Sequence, residues 1–228
     1  MAYTIYKPMQ KVQGVLFDMD GVILDTEKLY TRFWLEGAHA LGYPLTREHA
    51  MWLRGRNRKE AAQMITRFFG PQASYEAIKG KRIELMDAYI EENGVEPKGG
   101  IREILEFLKQ EHIPCAITTA SPIERVQKYL VPLGLYDYFQ NVVTAYDVPN
   151  GKPEPDIYLY GAKVLGLPPE TCIAIEDSAA GIQSAYRAGC MATLVPDQDL
   201  PDEETLKRIT AKADSLVDVI EVIRESGR

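Results

Sequence analysis

Three aspartates fall within eight positions, Asp18, Asp20 and Asp25 of GVLFDMDGVILDT (residues 14–26), just after an apolar run that reads as a buried strand. Carboxylates delivered past a strand end can hold a hard cation or attack an electrophile. Three later apolar runs end in the same way. IPCAITTA leads to Thr119, Ala120 and Ser121; FQNVVTA leads to Asp147 and then Gly151, Lys152 and Pro153; TCIAIED leads to Glu176, Asp177 and Ser178.

Carboxylates gathered without a cation repel one another and bind protons more tightly. A divalent cation removes that conflict, and an all-oxygen site lacking a Cys or His ligand set suits Mg²⁺. Asp18 and Asp177 are the preferred ligands, with Glu176 contributing directly or through water. On an extended backbone, side chains two residues apart share a face but sit about 6–7 Å apart, so Asp20 is placed for a separate task. If Asp18 attacks phosphorus, Asp20 can protonate the leaving oxygen and later take a proton from water. Lys152 then supplies fixed positive charge and the Thr119 hydroxyl a neutral donor. Singly, these residues have ordinary explanations as turn formers, helix caps or a solvated lysine. Jointly, at successive strand ends, they make a phosphoryl-transfer set.

The elements that must position them follow from hydrophobic periodicity. After a first strand at about Val12–Phe17, residues 27–93 show no convincing strand. EKLYTRFWLEGAHALG and RKEAAQMITRFFG space their apolar residues as helices closed by Gly42 and Gly70. From residue 95 onward, short apolar strands alternate with amphipathic helices, the signature of βαβ units and a parallel sheet. The pattern predicts an α/β fold: a Rossmann-like parallel-sheet core, residues 1–26 and 95–228, with an inserted α-helical cap domain over 27–94. In such sheets ligands bind beyond the carboxyl ends of the strands.

The whole chain has 228 residues and a net charge of −7, with a pI near 5.1. That balance argues against nucleic-acid or anionic-membrane partners. MAYTIYKPMQK lacks a signal-peptide core, and no run approaches the roughly 18 apolar residues of a membrane span, so a cytoplasmic protein is expected; a monomer is a separate expectation. Of the three cysteines, Cys115 and Cys172 lie in strand-like runs and read as free buried thiols. His39, His49 and His112 lack metal-ligand spacing, and the aromatic groupings GLYDYF and YLY read as packing.

FDMDGVILDT, ITTAS, GKPEPDIY and IEDSAAGI, in this order and spacing, resemble the haloacid dehalogenase superfamily. The likeness is to the subgroup with a helical cap, which contains sugar-phosphate and nucleotide phosphatases, phosphoglycolate phosphatases and β-phosphoglucomutase. The resemblance implies Asp18 as nucleophile, Asp20 as general acid/base, and Thr119 and Lys152 as phosphate-binding and charge-stabilising groups, with Ala120 beside them on the substrate. It implies Glu176 and Asp177 as the metal region, with the Asp18 carboxylate and the Asp20 backbone carbonyl also on Mg²⁺. In the family the cap closes over the leaving group. LRGRNRKEAA resembles the matching cap segment, where Arg58 aligns with an arginine that grips a distal phosphate, and Arg54 and Arg56 stand close by. Tyr30 occupies the place of a histidine in the mutase pattern, and Pro122 that of a polar residue. Asp25 and Thr26 mark the exit into the cap as helix-start or hinge residues.

The expected activity is a Mg²⁺-dependent phosphatase of a small phosphorylated metabolite, a sugar phosphate or nucleotide-type monophosphate, acting through an aspartyl phosphate. The alternative is a β-phosphoglucomutase-type phosphotransferase. A non-catalytic metabolite-binding protein is disfavoured because Asp18, Asp20, Lys152 and Asp177 are all present.

Overall fold

Apolar runs of four or five residues become the strands that carry the site, because every one of their side chains can be buried between helices on the two sheet faces. In the computed structural model, which describes residues 2–53, 58–197 and 201–227, with the side chains of Glu27 and Arg58 outside that description, β1 is Tyr3–Ile5 and β2 is Gly14–Phe17. Helices α1 (Glu27–Ala40), α2 (Arg47–Leu53), α3 (Arg58–Phe69) and α4 (Tyr75–Asn93) come next. Then come α5 (Ile101–Gln110), β3 (Cys115–Thr119), α6 (Ile123–Leu130), β4 (Asn141–Thr144), α7 (Asp156–Val164), β5 (Cys172–Glu176) and α8 (Ala179–Arg187). The chain continues through β6 (Met191–Leu194), α9 (Glu203–Arg208), β7 (Ala211–Ala213) and α10 (Leu216–Glu225). It divides into two compact units, Met1–Leu24 with Pro97–Arg228, and Asp25–Glu96.

The first unit is built on a seven-stranded sheet of order β1-β7-β6-β5-β2-β3-β4, parallel except where β1 runs antiparallel to β7. Register sets the site. Phe17 lies opposite Ile117 and Ile175, Thr119 opposite Thr144, and Glu176 opposite Leu194, so β2, β3, β4 and β5 finish at one edge. Beneath that edge Leu16, Ala116, Val143, Ile157, Tyr158 and Ala174 pack in one buried cluster. Cys115, Cys172 and Cys190 are free and buried, and burial pushes the Cys115 thiol up to about 12.

β1 and β7 have three residues each, too short to give a hydrophobic pattern. They exist because neighbouring strands supply their hydrogen-bond partners, Tyr3 facing Ala213 and Ile5 facing Ala211, with β7 paired on its other side to β6. The expected first strand is also shorter than its apolar run: Gln13 N–H donates to the Thr171 carbonyl at 2.9 Å before the ladder begins at Gly14.

The second unit has its own core, in which Leu45, Leu53, Ile65 and Ile78 are buried. Helix α4 buries Ile78, Arg82, Met86 and Ile90, four positions at a spacing of four, and an arginine stands in the stripe. Its guanidinium lies 4.7 Å from the Tyr30 ring and 5.0 Å from the Trp34 ring, two aromatic faces on α1 that offset the cost of burying it. Gly37 permits the approach: a Cβ there would come within 2.8 Å of the Arg82 amide nitrogen. No helix among the described residues is long and apolar enough to cross a membrane.

Leu16, fully buried on the interior strand β2 two residues before Asp18, is where core and site meet. Leu16→Ala is expected to lower stability by about 2–5 kcal/mol through lost burial and the residual cavity, read as a lower urea midpoint at unchanged m-value.

Candidate active site

The site is assembled at the carboxyl edge of the sheet within the α/β unit. Asp18 continues the β2 ladder by donating its N–H to the Ile175 carbonyl at 3.0 Å, and its residue is only 8% exposed. The backbone then turns rather than running on. Ile23 and Leu24 donate to the Met19 carbonyl at 2.9 and 3.0 Å, Gly21 donates to Leu24 at 2.9 Å, and Gly21 takes a φ of 88°, a left-handed conformation that favours glycine. Asp20 thus lies within the turn that runs from Met19 to Leu24, and its Oδ2 accepts from Ser121 Oγ at 3.1 Å.

Lys152, brought in by the loop after β4, donates to Asp18 Oδ1 at 2.5 Å, Glu176 Oε1 at 2.6 Å and the Thr118 carbonyl at 3.0 Å. Asp147 shapes that loop, its Oδ2 accepting from Thr144 N–H at 2.8 Å and Thr144 Oγ1 at 2.7 Å. It is a turn former. Thr119 Oγ1 accepts from Ser121 N–H at 3.0 Å, which leaves its own O–H to donate, and Ala120 lies exposed between them. Asp25 pairs with Lys28 at 2.7 Å at the start of α1, and the buried Thr26 occupies the N-cap position of that helix without a side-chain cap bond. Arg54 and Arg56 lie outside the described residues, as does the side chain of Arg58.

Asp18, Glu176 and Asp177 each present an oxygen within 4.8 Å of the others. Burial pushes the Asp18 carboxyl up to about 8, the charges of Glu176 and Asp20 add to that, and Lys152 opposes it. For Lys152 burial acts downward, but the charges of Asp18 and Glu176 outweigh it and hold the ammonium well above the usual lysine value. Lys152 pairs with two of these acidic groups while Asp177 stands within 4.8 Å of both, so acid groups outnumber the ammonium, and the donor set is all oxygen. Both features fit a hard divalent cation.

Two residues the sequence did not single out complete the site. Tyr158, read as packing, is fully buried and donates its hydroxyl to Glu176 Oε1 at 2.7 Å. Gly181, in the first turn of α8, leaves room for the Glu176 side chain: a Cβ there would stand 1.8 Å from the carboxylate carbon. Each looked like an ordinary helix residue, and only the approach of α7 and α8 to the end of β5 reveals them.

A sequence profile described as haloacid dehalogenase-like hydrolase matches residues 12–189. The chain is a haloacid dehalogenase-like hydrolase. Among its relatives, a phosphorylated carbohydrates phosphatase of Thermotoga maritima is 33% identical over 178 residues, covering 78% of this chain and 82% of that protein. The β-phosphoglucomutase of Bacillus subtilis is 32% identical over 189 residues, covering 79% of this chain and 82% of its own. A solved β-phosphoglucomutase from Clostridium difficile superposes with a TM-score of 0.74 at 29% identity, covering 94% of this chain and 96% of that one. This haloacid dehalogenase-like hydrolase is a phosphatase, with a mixed α/β Rossmann-like fold.

Gly181→Ala in this hydrolase drives a methyl group into the Glu176 carboxylate. It is expected to cost about 1–3 kcal/mol of stability, as overpacking does, and to lower kcat by at least about tenfold as Lys152 loses one anchor. Thermal unfolding and p-nitrophenyl phosphate turnover read the two effects.

Proposed function

We propose that this protein is a Mg²⁺-dependent phosphatase of a phosphorylated sugar or nucleotide-type monophosphate, working through an aspartyl phosphate on Asp18. The observation that carries the reading is the Lys152 ammonium, 2.5 Å from Asp18 Oδ1 and beside the acidic trio. A carboxylate meant to attack an anionic phosphoryl group needs fixed positive charge at its side. Asp18 and Asp177 would hold the cation, with the backbone carbonyl of Asp20, and Glu176 stands within reach of the same point. Bound there, Mg²⁺ supplies charge neutralisation for the phosphoryl oxygens.

In the first step an Asp18 carboxylate oxygen forms a bond to phosphorus as the ester P–O bond breaks, and Asp20 gives its proton to the departing oxygen. In the second, Asp20 takes a proton from water as the water oxygen bonds to phosphorus and the Asp18 P–O bond breaks, releasing inorganic phosphate. Ser121 Oγ, 3.1 Å from Asp20 Oδ2, orients that carboxyl, and the Thr119 hydroxyl donates to a phosphoryl oxygen. The substrate class is carried over from relatives named for phosphorylated carbohydrates, hexitol phosphates and fructose 1-phosphate.

Likeness to β-phosphoglucomutases favours a second reading, in which the phosphoryl group passes from Asp18 to a sugar hydroxyl instead of water. Tyr30 favours hydrolysis, because a phenol stands where the mutase pattern has a histidine and its ring lies against the Arg82 guanidinium at 4.7 Å. Product analysis with a β-glucose 1-phosphate separates phosphate release from isomerisation.

A panel of phosphorylated sugars and nucleoside monophosphates, assayed with Mg²⁺ and after chelation, tests the activity. Asp18→Asn should abolish turnover on every substrate, a fall of at least about 10³-fold, with little change in folding, since the amide keeps the shape but is a poor nucleophile. Substantial phosphate release by the folded variant would refute the assignment of Asp18.

Asp20→Asn should separate the two steps. An activated aryl phosphate needs little leaving-group protonation, so it should still load Asp18, whereas water then lacks its base. Rapid mixing with p-nitrophenyl phosphate is expected to show a burst of nitrophenol, a slow steady state, and phosphate retained on the protein by mass spectrometry.

A further inference from the structure

We propose that Lys98 is a positioning residue for Asp20: paired with Asp197, it fixes the Met19–Leu24 turn that carries the acid/base carboxyl. The inference rests on Asp20 as the group that protonates the leaving oxygen.

Lys98 lies two residues past Glu96, where the chain re-enters the α/β unit. Its main chain joins the turn directly. The Lys98 N–H donates to the Ile23 carbonyl at 2.8 Å, and beside it Pro97 forms an antiparallel bridge with Leu24. Leu24 is bridged in turn to Asp20, and Ile23 and Leu24 both donate to the Met19 carbonyl. A displacement of Lys98 therefore pulls on the residues that close the turn around Asp20. Ser121 Oγ meets the Asp20 carboxyl at 3.1 Å, but that contact aims the side chain only while the backbone beneath it stays in place.

The Lys98 side chain supplies the anchor. Its ammonium donates to Asp197 Oδ1 at 2.5 Å, between residues 99 positions apart, so the bond ties one loop to another and does not close a local turn. Asp197 stands two residues past Val195, whose N–H still continues the ladder of β6 with a 2.8 Å bond to the Glu176 carbonyl. A lysine on a loop ordinarily keeps its head in water. Here the two side chains are 19% and 9% exposed. Asp197 Oδ2 is buried with no hydrogen-bond partner among the described residues, so Lys98 supplies the carboxylate's bonding by itself. An ion pair in that setting adds little net stability, because desolvation offsets the attraction. What it provides is geometry, a fixed span from the end of β6 to the strand of chain that braces the turn. Two apolar side chains would fill the same volume and leave that chain free to shift, and proton transfer at hydrogen-bond range tolerates little shift.

The double change Lys98→Met with Asp197→Leu tests this, since it avoids the stranded charge that either single change leaves behind. It is compared with wild type and with Asp20→Asn on phenyl phosphate and p-nitrophenyl phosphate, two esters of similar shape whose leaving oxygens differ in their need for a proton. The measure is kcat/KM, which covers the steps up to formation of the aspartyl phosphate. The expected result is a fall of about tenfold or more for phenyl phosphate, with p-nitrophenyl phosphate within about twofold of wild type. The ratio of the two values does not depend on how much of a sample is folded. Asp197→Asn, which keeps the shape and drops the charge, should move the ratio in the same direction. Equal loss on both esters would make the pair a stability element or a phosphate contact and overturn the proposal. If Asp20→Asn itself leaves the ratio unchanged, the acid/base role of Asp20 is refuted, and the proposal falls with it.

Discussion

A buried ammonium that balances buried carboxylates is the interaction on which the site depends. Lys152 is 11% exposed, Glu176 not at all, and both sit where water cannot neutralise them. Charges so placed are strongly destabilising when single and tolerable when paired and fully hydrogen-bonded. The ammonium meets that condition with three acceptors from the ends of β2, β3 and β5. Those three strands are neighbours in the sheet, so a single side chain ties their carboxyl ends together.

The sheet makes this possible through register. Parallel pairing of β2 with both β3 and β5 sets Phe17 level with Ile117 and Ile175, and the residues just beyond open into one space. From there the chain diverges by local chemistry. Asp18 keeps the ladder, Asp20 lies in the Met19–Leu24 turn, and the loop after β4, tied back to Thr144 by Asp147, carries Lys152 to Asp18. The same apolar cluster that holds α7 against the sheet also delivers Tyr158 to Glu176.

The sequence disclosed what depends on runs and periods. The apolar segments of β2 to β6 and the polar residues that end them are visible one residue at a time, and so is the change of texture between residues 27–93 and residues 95–228. β1 and β7 are not, because three residues carry no period and their stability lies wholly in pairing. The buried face of α4 is disguised by Arg82, whose charge interrupts the stripe and is accommodated by the Tyr30 and Trp34 faces on α1. In the site, residue types suggested the chemistry of Asp18, Asp20, Lys152, Glu176 and Asp177. What they could not show was which oxygen meets which donor. Tyr158 looked like packing because its hydroxyl has meaning only beside Glu176, and Asp147 stood at a strand end like the others yet bonds its own turn.

The contact between Gly181 and Glu176 joins two positions five residues apart into one. The space a side chain at 181 would occupy is the space the glutamate fills, with its carboxylate carbon 1.8 Å from a Cβ built there. Neither position can therefore vary alone without cost to the other's contacts. A larger residue at 181 demands a shorter one at 176, and a shorter residue at 176 surrenders the bracket on Lys152 and strands the hydroxyls of Tyr158 and Ser178. Drift through single steps is penalised at this corner of the molecule, and a descendant that crosses it without loss must change several residues together and arrive with a different way of placing its cation.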